Sequence, residues 1–90
     1  MKTSELKYLI ENPIQGQSVE YNDNRISKLA GQNGKSYITG VQLDIDNMRC
    51  CRQLPKNKGG SDDYSNLIWI TAKEKEEILN ESNAVEDNKD

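Results

Sequence analysis

Apolar residues fall into short groups of differing period along the chain. In "SELKYLIENP", Leu6, Leu9 and Ile10 recur at helical spacing, Ser4 stands at the N-cap position, and Pro13 stops the run. That pattern predicts a short helix or turn. "IQGQSVEY" then reads as extended. In "NDNRISKLAGQNG", Ile26, Leu29 and Ala30 share one helical face, with Asn22 or Asp23 as cap and Gly31 or Gly34 as stop. "KSYITG" alternates as a strand that turns at Gly40, and "VQLDID" returns as a second short strand.

From residue 47 the period becomes two. "NMRCCRQLP" sets Met48, Cys50 and Arg52 against Arg49, Cys51 and Gln53, which predicts a strand that Pro55 ends. "KNKGGSDDYS" is rich in turn residues. "NLIWIT" is the most apolar stretch and predicts a buried strand carrying the only Trp. Thr71 and Glu74 form a Thr-x-x-Glu capping box that starts a helix at Ala72. The order strand, loop, strand, helix is a ββα unit, and the expected class is α+β. The expected organisation is a helix or turn over 1–11, a body over 12–82, and a disordered acidic tail over 83–90.

Ninety residues permit one domain, and 33% hydrophobic against 30% charged residues permit only a modest core. Packing of Leu54, Leu67, Ile68, Trp69 and Ile70 is expected to hold it. Residues 1–73 carry a net charge of +2 and residues 74–90 a net charge of −5. A basic footprint for nucleic acid is therefore not advertised. No stretch approaches the ~18 apolar residues of a membrane helix, and "MKTSELKYLIENP" lacks the apolar core of a secretory signal. An intracellular, cytoplasmic protein with reduced thiols is expected. Adjacent Cys50 and Cys51 are poorly placed to bridge each other. With no His and no third Cys they make a poor zinc site. One buried cysteine beside an exposed or functional neighbour is the expected arrangement.

The segments "SVEYNDNRIS", "NGKSYITG" and "LPKNKGGSDDYSNL", followed by a helix, occur in an order that resembles the C-terminal HNH endonuclease domain of group II intron-encoded reverse transcriptases. The likeness spans roughly residues 12–80. It implies a ββα unit holding one metal ion and a histidine general base. The family's His-His pair, a metal ligand followed by the base, falls on Cys51 and Arg52. Its loop-clamping Asn falls on Asn66, and two further histidines of the last helix fall on Glu76 and Asn80. The residue before the first of those histidines, a Val in the family, is Lys75, and the Cys of its Gly-Lys-Cys element is Ser36.

These departures remove the chemistry that the resemblance implies. A general base must accept a proton near neutral pH, and an arginine cannot. Its fixed charge would also repel a divalent cation. Cys51 and Glu76, one soft and one hard ligand beside that charge, do not make a hydrolytic site. The expectation is a pseudo-nuclease: no enzyme, no cofactor, and an Arg52–Glu76 ion pair spanning the lost metal site.

Drift in a decaying reading frame would erode Gly, Pro and Trp as readily as His, yet the scaffold residues are largely kept. A retained binding module follows, of mobile-element or phage origin. Its expected partner is a protein, a nuclease or other nucleic-acid enzyme, which it inhibits in the manner of an anti-CRISPR protein. The expected partner-binding surface is Glu74, Glu77 and Glu81 with the tail acids Glu86, Asp87 and Asp90, together with Arg49, Cys51 and Arg52. Affinity for free DNA should be weak or absent. One alternative is a DNA-binding remnant that uses Arg49, Arg52, Lys56 and Lys58. Another is a weakly active metal-dependent endonuclease that works through Glu76, Asn80 and a water.

Overall fold

The computed structural model describes residues 3–82, with side chains from Ser4 to Leu79. Among the described residues, three helices and one two-stranded antiparallel sheet form an α+β fold: α1 (Thr3–Glu11), α2 (Val19–Gly31), β1 (Met48–Arg52), β2 (Leu67–Thr71) and α3 (Ala72–Ser82). The loop between the strands contains two 3₁₀ turns, Lys56–Lys58 and Tyr64–Asn66. The expected tail over 83–90 lies outside the described residues.

Helix α2 begins earlier than its apolar spacing predicts. Ser18 is the cap: its Oγ accepts from the Tyr21 amide at 2.9 Å. Asn22, an expected cap, sits inside the helix. Its Oδ1 accepts from the Ile14 amide and its Nδ2 donates to the Ile14 carbonyl, pinning the preceding segment. So "QSVEY" opens a helix and is not extended. Ser4 likewise lies within α1 and does not cap it.

The two strands expected over 35–46 reduce to a single bridge between Lys35 and Gln42. The Ser36 hydroxyl explains this, since it accepts from the Ile38 and Thr39 amides and curls the chain into a tight turn.

Strand pairing sets Cys50 against Trp69, Cys51 against Ile68 and Arg52 against Leu67. Side chains alternate between the faces of the sheet. Met48, Cys50, Leu67 and Trp69 join Leu9, Tyr21, Leu29 and Leu43 in the main core, under α1 and α2. Since α1 supplies Leu9, residues 3–11 share that core with the body. Cys51, Ile68 and Ile70 form a smaller cluster on the opposite face. Both cysteines are buried and unbridged, so neither is the exposed neighbour expected from sequence. Leu54, also expected in the core, is 46% exposed. It lies two residues past the end of β1, where the chain has already left the sheet.

The outward-facing backbone of β2 is matched by a side chain. Gln32 accepts from the Trp69 amide at 2.8 Å and donates to the Trp69 carbonyl at 2.9 Å. The Trp69 indole donates to the Arg25 carbonyl at 2.7 Å, which fixes the ring against α2.

Candidate functional site

Helix α3 lies over the Cys51 face of the sheet and leaves a groove of about 370 Å³. Cys51, Ile68, Ile70, Ile78 and Leu79 line its apolar part, and Lys58 and Lys75 bring positive charge to it. Cys51, which the resemblance would make a metal ligand, lines this groove. The position given to the base lies elsewhere.

Arg52 lies on the opposite face of the sheet from Cys51, and its side chain is only 1% exposed. Its Nε and Nη2 both donate to Asp62 Oδ1, at 3.0 and 2.8 Å. Nη2 also donates to Gln17 Oε1 at 2.9 Å, and the guanidinium stacks 4.5 Å from the centre of the Tyr21 ring. Asp62 Oδ2 accepts from the Ser18 hydroxyl at 2.6 Å. The ion pair thus ties the end of β1, the inter-strand loop and the start of α2 together. Burial pushes the Asp62 carboxyl up, but hydrogen bonds from Ser18 and Arg52 and the charges of Arg52 and Lys56 outweigh it. The net effect holds the carboxyl below its ordinary value.

The expected Arg52–Glu76 pair is absent. Glu76 is exposed on α3, while strand alternation turns Arg52 the other way. Gln17, Ser18 and Asp62 escaped a reading of the sequence because their roles depend on a contact 44 residues long, Ser18 to Asp62.

Asn66 holds the loop. Its Oδ1 accepts from the Leu54 amide at 2.9 Å, and its Nδ2 donates to the carbonyls of Leu54 and Ser61 at 3.0 and 2.7 Å. The side chain extends the sheet by one artificial rung. Gly59 and Gly60 make the turn possible. Gly59 has φ +91°, and a Cβ on Gly60 would overlap the Leu54 carbonyl.

Of the residues expected to meet a partner, Glu74 is committed to the fold. It completes the capping box with Thr71 in both directions, at 2.8 and 3.0 Å. It also accepts from Ser36 at 2.7 Å and from Thr39 at 2.6 Å. Burial raises its pKa, and the hydrogen bonds from Thr39, Thr71 and Ser36 more than reverse that, leaving it low. Arg49 is half-buried and donates to the carbonyls of Met48 and Asp46. Cys51 and Arg52 are buried. Glu77 is exposed. The side chains of Asn80 and Glu81, and the tail acids Glu86, Asp87 and Asp90, lie outside the described residues.

Among the described residues, the groove is lined by the Cys51 thiol, Lys58, Lys75, Arg52, Gln53 and hydrocarbon, with no carboxylate or imidazole. Among the described residues, no group of three His, Cys, Asp or Glu is placed to hold a metal ion. Nor is any described helix long and apolar enough to cross a membrane. The exposed turn Tyr37–Ile38–Thr39 is pinned to α3 through Glu74, which leaves Tyr37 and Ile38 58% and 51% exposed. Comparison of the chain with protein-family models, with curated proteins and with solved structures returns no match.

Proposed function

We propose that the chain is a nuclease-like ββα scaffold without hydrolytic chemistry, kept as a binding module that occupies a protein partner. The partner class is a nuclease or another enzyme of nucleic acid, held as an anti-CRISPR protein holds its target. One observation carries the reading: the residue at the base position, Arg52, is a buried structural cation paired with Asp62. An arginine in that place cannot deprotonate water, and here its guanidinium is held by Asp62 and Gln17.

The binding surface differs from the one that sequence reasoning supplied, because Glu74 and Arg52 are used inside the fold. The pinned turn with Tyr37 and Ile38 supplies exposed apolar anchors, and tyrosine is a frequent centre of protein interfaces. Glu77 on α3 adds negative charge, which steers association with a basic nucleic-acid channel. The test pairs a pull-down from nuclease-expressing lysate with a plasmid-nicking assay in magnesium, manganese or zinc. The reading expects a captured nuclease, lost in a Tyr37→Ala/Glu77→Lys variant, and plasmid that stays supercoiled. Nicking that vanishes in Asn66→Ala would overturn it.

A DNA-binding remnant is the second reading, and exposed Lys56 and Lys58 on the 3₁₀ turn favour it. It requires retarded migration of duplex DNA that weakens steeply with salt.

A further inference from the structure

We infer that the cavity where α1, α2 and β1 meet binds a small organic anion, a carboxylate or phosphate carried on a compact apolar body. The cavity measures about 210 Å³ and shares no lining residue with the groove under α3. Tyr8, Ile14, Ile45, Met48 and Trp69 give it apolar and aromatic walls. Arg25 and Arg49 also line it, and no carboxylate does.

Arg25 carries the argument. It is 4% exposed, and a cation so buried ordinarily has an anionic partner. Arg52, buried to the same degree, has Asp62. Arg25 has neutral partners instead: its Nε donates to Asn22 Oδ1 at 3.2 Å and its Nη2 to the Asn12 carbonyl at 2.7 Å. Among the described residues, none accepts from its Nη1 and no carboxylate pairs with it. Glu5, the buried acid of α1, does not line the cavity. The Asn12 carbonyl lies just past α1, whose C-terminal dipole offers at most about half a negative charge. An excess of positive charge therefore remains. Arg49 adds to it. Its Nη1 donates to the carbonyls of Met48 and Asp46 at 2.9 and 3.4 Å, and no described residue accepts from its Nε or Nη2.

A guanidinium fork takes carboxylate and phosphate oxygens in pairs, which sets the charged end of the ligand. The walls set the rest, because an anion without hydrocarbon would leave them uncovered. Pockets for drug-sized ligands run to roughly 300–1,000 Å³, so this one suits a single ring or a short chain. The inference stands apart from the partner reading, since its occupant is a free small molecule.

Trp69 is the only tryptophan, and its indole donates to the Arg25 carbonyl, so its NMR signal reports on the cavity. The full isotope-labelled chain is titrated with cyclohexanecarboxylate and with cyclohexyl phosphate, which separate the two headgroups. Cyclohexanecarboxamide is the neutral match, and acetate and inorganic phosphate are the anions without a body. Saturable shifts of the Trp69 indole and of the Arg25 and Arg49 Nε signals are expected with at least one organic anion. Its affinity should be roughly ten-fold or more above that of the three controls. Arg25→Gln would also remove structural bonds, so Arg49→Gln is the decisive variant. It should weaken binding several-fold at an unchanged melting temperature. Equal binding of the amide, or acetate or inorganic phosphate as tight as the organic anions, overturns the inference. So does a titration in which neither organic anion moves any of the three signals, or binding that Arg49→Gln leaves unchanged.

Discussion

Arg52 and Asp62 meet at 2.8 Å, with side chains 1% and 9% exposed, and both carboxylate oxygens of Asp62 are used. Such a pair is costly to break from one side, because the remaining charge stays buried. Arg52→Ala and Asp62→Ala should each lower stability by about 3 kcal/mol in urea unfolding. The double variant should cost well under the sum, with coupling of at least about 1 kcal/mol. The corresponding cycle for Arg52 and Glu76 should be additive. Additivity in the first cycle removes the tie from the account of this fold.

Acid should weaken the protein through Asp62 and Glu74. Both carboxyls sit below their ordinary values of 3.8 and 4.5. Their stabilisation is complete above those values and is lost as pH falls through the lowered ones. Glu20 has the opposite sign. Partial desolvation, a hydrogen bond with Asp63 and the charges of Asp63 and Asp62 raise its pKa above 4.5, so its ionisation opposes the fold as pH rises. Melting temperature followed from neutral pH into acid should decline, and Asp62→Asn should flatten that decline. An unchanged slope in Asp62→Asn counts against the assignment.

Charge reversal should separate two glutamates one helical turn apart. Glu74→Lys removes the reciprocal cap of α3 and the anchor of the Ser36–Thr39 turn, and should cost about 1–2 kcal/mol. It also places a cation at a helix N-terminus. Glu77→Lys, on an exposed face, should stay within about 0.5 kcal/mol. Equal effects on unfolding would mean that the capping box contributes nothing.

Chelation should leave the fold alone. Leu67, Trp69, Leu29 and Tyr21 bury apolar surface worth roughly 1.5–3 kcal/mol for each large side chain. Melting with and without EDTA should coincide within error. A loss of many degrees, together with stoichiometric zinc by elemental analysis, would restore a metal to the structural account.

What the sequence made legible was local. The period-two run around Cys50 and Cys51, the apolar "NLIWIT" and the Thr71–Glu74 box each depend on neighbours within a few residues, and β1, β2 and α3 follow them. Asn66 was singled out only through a likeness to a family, and its bonds to Leu54 and Ser61 give that position a physical reason. The misplacements came from competition among polar side chains. Ser18 outcompeted Asn22 for the cap because Asn22 was engaged by Ile14. Ser36 used its hydroxyl to bend a stretch whose alternation looked like a strand. Arg52 is the instructive case. The alternation that sets it opposite Cys51 was visible in the sequence and already excluded a partner on α3. Its true partner, Asp62, lay in a loop where no period constrains position.

The Gln32 amide gives the two-stranded sheet a boundary. By matching both the donor and the acceptor of Trp69, it behaves as a third strand one residue wide, and the Tyr37 amide adds a further bond to the same carbonyl. An unpaired strand edge is a template on which another chain can add, and here the centre of the β2 edge is already closed. Strand addition to β2 would first have to displace a side chain tethered to the end of α2. Association along that edge, whether in a functional complex or in aggregation, is thereby disfavoured at Trp69. Gln32→Ala should reopen the edge, and the chain would then acquire a tendency to self-assemble that the native sequence suppresses.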